Sequence, residues 1–542
     1  VEGAALAANL GALRAGSARH RALAFRLEAG GVAEPVAPVP WPALPEGRSV
    51  LMVGAASPEG IGAALRGGRD VVLWERSAPI LRDLLARVDW SAPLGTGRLQ
   101  LACDVDLLDL DLPEAMPTVL HPVLGPRYAR ELAWRDAVPR RRALLVDGGL
   151  LVEELARALA ARGWACWTWE TTRLPPSELA RIARALRPER VVAVNHQPGL
   201  PEAVEALRGD CPELALAVWE IDPATDAVRP PAVPVPHTTI HTWRRSQVAR
   251  FRAAGFRASW LPLASDPERR CPLALTGEEQ AAYGAPVTFV GRSMAFEATQ
   301  YHRELVTRLA ACRAAAGLDP AGAPAVLERI LAAQRAEPGV YRIPEGIAAY
   351  APELLHEAQP DGADPVMMLG EVAAAEFRMG VVANLGRFGA HAWGDEGWQA
   401  VVRHGVRYRG SAGHARQLTR IYGNGGIHVD VGRLYQLDIV TLRVFDVLAC
   451  GGFVLAHHSE DLAALFVLGE EIESWRTVPE LLEKVAWYLP RPQERARIAA
   501  RGRARVLADH TVVQRLAVLL GDAGSGGVAG GCPPAPESRR PT

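Results

Sequence analysis

The sequence has almost no lysine. It carries 60 lysines and arginines, and Lys484 is the one lysine among them. Such a bias fits a GC-rich genome and identifies no arginine-built site by itself. Net charge is missing too: 61 acidic residues leave a formal charge of -1. A balance this close to zero gives no reason to expect nucleic acid or an anionic membrane as partner. No apolar run approaches the ~20 residues a membrane helix needs, so no membrane span is expected. The 7 cysteines (Cys103, Cys166, Cys211, Cys271, Cys312, Cys450 and Cys532) form no CxxC pair, which argues against zinc and disulfide frameworks. Residues 1–30 are alanine-rich and charged throughout, unlike a secretion signal or a transit peptide. These absences leave a cytoplasmic soluble enzyme as the expected class.

What is present is an ordinary globular composition, 49% hydrophobic and 22% charged over 542 residues, enough for about three domains. Residues 1–45 read as one helix followed by a proline-rich linker, VAEPVAPVPWPALPEG. Residues 46–125 read as a Rossmann-like α/β unit: strand Ser49–Val53, the glycine turn GAASPEGIG, a short helix, strand Asp70–Trp74 ending in Glu75, and strand Leu99–Ala102. Mononucleotide-binding halves begin this way, although the turn is not GxGxxG. A nucleotide or S-adenosylmethionine site there would use Gly54, Gly60 and Glu75; the other reading is a unit with no ligand.

Residues 126–282 alternate strands (Arg142–Val146, Trp164–Glu170, Arg190–Asn195, Leu214–Trp219, Thr238–His241, Ala258–Leu261) with helices (Leu151–Arg162, Leu174–Leu186, Arg244–Ala254). That alternation predicts a parallel sheet, and ligands of such sheets bind beyond the strand carboxyl ends. His196, Glu220 and Asp222 follow such ends. Residues 283–520 open with strand Val287–Val290 and the turn Gly291-Arg292-Ser293. They read as mostly helical over 297–378, then return to strand at Val381–Leu385, before a second glycine–arginine turn, Gly386-Arg387-Phe388. The tail 521–542 is rich in Gly, Pro and Ser without periodicity and reads as disordered.

The most informative stretch is LRVFDVLACGGF, Leu442–Phe453. It presents Arg443 and Asp446 on a short apolar helix, then breaks at Gly451-Gly452. A carboxylate there can accept hydrogen bonds from ribose hydroxyls, and a helix N-terminus with arginines can hold a diphosphate. The two glycines either let backbone approach a ligand or simply end the helix. Ser459, Glu460 and Asp461 follow the strand Phe453–Ala456 and read as the start and cap of the next helix. His510 and Thr511 read as the cap of the last one.

With its flanks, IHVDVGRLYQLDIVTLRVFDVLACGGFVLAHHSEDLAALFVLGEEIESW, this stretch resembles the glycosyltransferases of the spore-maturation CgeB type, in the group-1-like GT-B superfamily. The segments VNHQPGL, AVWEIDP, ASWLPLASDP and VTFVGRS upstream, and ELLEKVAWYLPRPQERARIAARGRARVLADHTVVQR downstream, extend the resemblance over roughly residues 190–515. It implies a GT-B pair of Rossmann-like domains, 126–282 on the acceptor side and 283–520 on the donor side, with the active site between them. The unit at 46–125 lies outside that pattern. The implied reaction moves a sugar from a nucleotide-activated donor to an acceptor that could be polysaccharide, lipid, protein or small metabolite, with no cofactor and no metal.

Metal-free stabilisation of the departing diphosphate requires positive side chains and N–H groups already in place. Arg443, Arg292 and Arg387 are the candidates, with Arg433 a further one. Asp438 and Asp446 stand in the E-x7-E arrangement of the superfamily, each one methylene shorter. There the second acid holds the donor ribose and the first lies near the sugar. Glu470, in the GEE element, is a candidate for sugar hydroxyls. An inverting reaction needs a base within hydrogen-bond reach of the acceptor hydroxyl, for which His196 is first choice and Asp222 second; a retaining one needs none. Two other classes compete: an S-adenosylmethionine-dependent methyltransferase working through 46–125, and a non-catalytic carbohydrate- or nucleotide-binding protein on a GT-B scaffold.

Overall fold

The alternating pattern folds into three parallel sheets covered by helices. The structure is a computed structural model that describes residues 2–28, 36, 39–110, 112–113, 116–136, 141–170, 183, 185–221, 233–355, 364–413, 416–436 and 438–522. Its strands are β1 (Ser49–Val53), β2 (Asp70–Glu75), β3 (Leu99–Cys103), β4 (Thr118–Leu120), β5 (Arg142–Asp147), β6 (Ala165–Glu170), β7 (Arg190–Val194), β8 (Ala215–Glu220), β9 (Thr238–Thr242), β10 (Arg257–Trp260), β11 (Val287–Val290), β12 (His391–Trp393), β13 (Arg407–Tyr408), β14 (Ile427–Val429), β15 (Phe453–His457) and β16 (Glu473–Trp475). The sheets run β3-β2-β1-β4, β10-β9-β8-β7-β5-β6 and β13-β12-β11-β14-β15-β16. Pairing is parallel throughout the first and third sheets, and between β5 and its neighbours β6 and β7. The class read from the sequence, α/β with parallel sheets and an additional N-terminal Rossmann-like unit, is the one observed.

Compactness divides the chain into two units, Val1–Val218 with Pro231–Thr239, and Trp219–Pro230 with Ile240–Thr542. In the first, one apolar core joins Leu51, Leu73 and Leu101 of the first sheet to Leu144, Val146 and Trp167 of the second. The single N-terminal helix expected from the sequence is two, Glu2–Ala15 and Ala18–Glu28. Ser17 separates them because its Oγ accepts the His20 N–H at 3.2 Å, as a helix cap does.

In the second unit the expected strand Val381–Leu385 is instead the end of a long helix, Pro365–Leu385. Its buried residues Met368, Leu369, Val372, Val381, Val382 and Leu385 recur at helical spacing. A short apolar run cannot show that period by itself. The helical segment over 297–378 comprises Ala295–Ala315, Ala323–Ala336, Ile343–Tyr350 and the first part of this helix. Met368, Leu369 and Val372 pack into the core of that helical segment. Val381, Val382 and Leu385 pack onto the third sheet with Phe289, Val429 and Leu455. The expected helix Leu174–Leu186 falls largely outside the described residues, as do Asp222 and the tail from 523.

Topology marks where a ligand can sit. Numbered within itself, the third sheet runs 3-2-1-4-5-6, the doubly wound order. Its direction of winding reverses between β11 and β14, and in doubly wound sheets the ligand crevice lies at such a reversal, here beyond Val290 and Val429. The corresponding reversals lie between β1 and β4 in the first sheet and between β5 and β7 in the second.

Candidate functional site

The crevice of the first sheet is filled by the chain itself. Gly54 ends β1 at φ +98, and a Cβ there would lie 2.8 Å from the His121 Cβ and 2.9 Å from the Leu124 Cβ. A Cβ on Gly60 would collide with the Trp41 ring. Glu75, the acid expected to meet a ribose, is fully buried. It accepts the Ala55 N–H at 2.7 Å, the Ser77 N–H at 2.8 Å and the Tyr128 hydroxyl. This is a satisfied internal carboxylate, which weighs against a methyltransferase site.

In the second sheet, Gly148 and His196 follow β5 and β7 at the reversal point. Asn195 takes a left-handed conformation, φ +61, and its side-chain amide donates to the Gly148 carbonyl at 3.3 Å. His196, next along, is buried.

The third sheet carries the charged crevice. Arg443 stands in the first turn of the helix Leu442–Ala449. It donates from Nε to the Val290 carbonyl at 2.6 Å, pairs with Asp430 just beyond β14, and lies 4.8 Å over the Phe289 ring. Gly291 has to be glycine here. Its φ is +154, and a Cβ would come within 2.7 Å of the Arg443 Nη2. Thr441, the N-cap, gives its hydroxyl to Asp430 at 2.7 Å and leaves the helix N-terminus without a side-chain cap. Arg378, from the long helix, donates Nη1 to the Arg292 carbonyl at 2.9 Å. Burial first, then the guanidinium groups of Arg443 and Arg433, bring the Arg378 pKa down to about 10. Arg433 donates to the Tyr435 hydroxyl at 2.8 Å and lies 3.4 Å from Glu371, which also accepts from Tyr435. At the end of β15, His457 stacks on Trp475 at 4.3 Å between ring centroids. Burial lowers its pKa to about 4, so the imidazole is neutral at pH 7.

The other expected residues go elsewhere. The Arg292 side chain is exposed and pairs with Glu297. Arg387 is exposed before β12, at the amino edge of the sheet, and donates to Asn384 at 3.3 Å. Gly451 and Gly452 also lie at the amino edge, before β15. Gly451 is left-handed, φ +76, and a Cβ on Gly452 would stand 2.5 Å from the Tyr422 carbonyl. They end one helix and admit the end of another, Arg416–Tyr422. Glu470 pairs with Arg501 of the closing helix at 2.9 Å, and Glu471 with Arg505 at 3.1 Å, again before a strand. Ser459 and Thr511 cap their helices, accepting from Leu462 and Gln514.

The two spaced acids have separate partners. Asp438 binds Arg244 at 3.1 Å and Ser246, beside a further pair of Arg245 and Asp461 at 2.9 Å. Asp446 is buried, its Oδ1 accepting from the Ser265 hydroxyl at 2.7 Å and its Oδ2 from the Arg270 Nε at 2.9 Å. Sequence reasoning missed Arg378, Asp430, Ser265 and Arg270. Asp430 follows an apolar strand, the same signal that singled out His196. Arg378 interrupts an apolar helical face, the signal of a buried charge. Ser265 and Arg270 carry no local signal.

Among the described residues, no group of three or more His, Cys, Asp or Glu could hold a metal ion, and no helix is long and apolar enough to cross a membrane. Solved structures that the chain resembles include a glycosyltransferase from Rickettsia africae (10% identity, 71% of this chain and 98% of that one, TM-score 0.41). Sucrose-phosphate synthase from Thermosynechococcus elongatus matches at 13% identity over 71% and 98%, TM-score 0.43. HepE from Anabaena, solved with UDP and glucose, matches at 10% over 71% and 99%, TM-score 0.39. No curated protein sequence matches the chain. Residues 375–521, which include Arg378, Asp430, Arg433, Arg443, Asp446 and His457, match the family described as glycosyl transferase-like.

Proposed function

We propose that the protein is a nucleotide-sugar-dependent glycosyltransferase of the GT-B type, close to the CgeB-like group, whose donor diphosphate lies at the reversal point of the third sheet. One observation carries this reading. Within the glycosyl transferase-like segment, Arg443, Arg378 and an uncapped helix N-terminus converge at the carboxyl ends of β11 and β14. Departure of a nucleoside diphosphate builds negative charge on the leaving oxygen, and fixed cations and helix amides stabilise it without reorganising. His457, neutral at pH 7, can hydrogen-bond the sugar or its diphosphate without adding charge. His196 and Asp222 stay as the proposed acceptor-side bases.

A non-catalytic binder is favoured by one observation: Asp446, the expected ribose acid, already has hydrogen bonds to both carboxylate oxygens. Titration calorimetry of the full chain with UDP, GDP and dTDP tests the site. Failure of all three to bind removes the glycosyl-transfer reading. Hydrolysis of a panel of nucleotide sugars then separates an enzyme from a binder.

A further inference from the structure

The crevice of the first sheet is closed by a residue from outside the sheet and its helices. Trp41 lies on the segment 39–47, which forms no helix or strand and carries Pro40, Pro42 and Pro45. Its half-buried indole packs on Gly60, where a Cβ would stand 2.3 Å from the Trp41 Cδ1. It meets the His121 ring edge to face, 5.2 Å between centroids. The Trp41 Nε1 donates to the Ser57 carbonyl at 3.0 Å, and Arg69 donates to the Pro45 and Gly47 carbonyls at 2.9 and 3.1 Å. Since β1 is paired on both sides, by β2 and β4, departure of this segment breaks no ladder. Behind Trp41 stands a donor with no acceptor. His121 follows β4 at the reversal point and is fully buried. Its Nδ1 accepts the Val123 and Leu124 N–H groups, both at 3.3 Å. Burial lowers its pKa, so the ring is neutral at pH 7 and its single proton sits on Nε2. Among the described residues that Nε2 has no hydrogen-bond partner, and a buried donor without an acceptor keeps its full desolvation penalty.

We propose that Trp41 is a displaceable stand-in for a ligand, and that this crevice takes a neutral nitrogen heteroaromatic ring of the nucleobase class, which accepts from His121 Nε2. A purine is bicyclic and planar like the indole, so it fills the same space over Gly60. It adds the acceptor that the indole lacks, since indole nitrogen is a donor only. An anion is disfavoured there. The buried Glu75 carboxylate holds the Ala55 N–H of the same turn at 2.7 Å, and like charges repel strongly where water is excluded. Glu75 is also spent on internal donors, so His121 and not the acid is the residue that reads the ligand. The site lies in the first unit and does not depend on the glycosyl-transfer reading.

The test uses the full chain, with purine and indole as matched probes. In wild type, purine should speed amide hydrogen exchange over residues 39–47 and leave β1 unchanged, because the segment lifts while the sheet stays. Exchange that purine leaves unchanged, or that indole speeds equally, overturns the proposal. Trp41→Ala removes the stand-in. By calorimetry it should bind purine at least about tenfold more tightly than wild type, since no internal group has to be displaced. It should also prefer purine to indole by about tenfold or more, because only purine pairs the buried donor. Adding His121→Asn should abolish that preference. The Asn Oδ1 can still accept from Val123 and Leu124, but the Nε2 proton is gone. Equal binding of purine and indole by Trp41→Ala marks a mere apolar cavity and overturns the proposal, as does a preference that survives His121→Asn. Should Trp41→Ala fail to fold, Trp41→Leu takes its place, and the exchange experiment on wild type decides by itself.

Discussion

Replacing Arg270 with methionine should destabilise the second unit more than any exposed ion pair could. Arg270 and Asp446 are 2.9 Å apart, and both side chains are only 7% exposed. The pair joins the segment before the third sheet to the middle of the helix that carries Arg443. Taking away one member of a buried pair leaves the other desolvated without its counter-charge, at a cost of about 3–5 kcal/mol. At ~2–4 °C per kcal/mol for a domain of a few hundred residues, the melting temperature should fall by roughly 6–20 °C. The double variant Arg270→Met, Asp446→Leu should recover most of that loss, because a buried pair can be exchanged for apolar packing at little net cost. Thermal melts of the single and double variants without nucleotide measure both. A loss under about 1 kcal/mol for Arg270→Met, or a double variant as unstable as the single one, refutes the argument. The same experiment decides what Asp446 does. A ribose ligand would leave the melt of nucleotide-free Asp446→Ala near wild type, whereas an internal tie lowers it.

Gly452→Ala separates packing from ligand approach. Its new Cβ would meet the Tyr422 carbonyl at 2.5 Å and the Val447 Cγ1 at 2.8 Å, an overpacking worth about 1–3 kcal/mol; the melt should drop while nucleotide affinity of the folded protein holds, and the reverse pattern would return Gly452 to the donor site. Asp461 gives a pH signature. Burial pushes its carboxyl up to about 6 against the pull of Arg245. Its folded pKa then exceeds the unfolded value near ~3.9, so the folded state holds the proton more tightly and this group's contribution to stability falls as pH rises from about 4 to about 6. Melting of wild type and Asp461→Asn between pH 4 and pH 7 should diverge across that window, and a constant difference would contradict it.

The strands legible in the sequence were those long enough to show a pattern. Ser49–Val53, Arg142–Val146 and Val287–Val290 are apolar runs that end in a glycine or an acid, and each forms a central strand. β12, β14 and β16 have three residues each, too few for a period of two to be visible. Val381–Leu385 shows the converse, an apolar run that reads as a strand until the long helix before it supplies the helical register. Arg443 and Asp446 were legible because they share one helix with a known motif. Their roles diverge because the two side chains, three residues apart on the helix, reach different partners, Val290 and Asp430 for one and Ser265 and Arg270 for the other. Partners supplied from 150 or more residues away leave no mark on local spacing.

Strand order alone would allow a ligand at any of the three reversal points, so the side chains must discriminate. At the first, His121, Leu124 and Trp41 occupy the space beside glycines that Rossmann ligands would need, and Glu75 is spent on internal donors. At the second, a Cβ on Gly148 would collide with the Val194 carbonyl, so the two strand ends approach too closely there to admit a ligand backbone to backbone. At the third, Gly291 makes room for a guanidinium instead of an apolar side chain. Arg378 adds a second cation, with no carboxylate in ion-pair distance among the described residues; its Nη1 donates to the Arg292 carbonyl. A crevice that is closed can be stable without charge, whereas a buried cation short of a counter-charge is stabilised when an anion enters. The third sheet is therefore where a phosphate-bearing substrate has the most to gain.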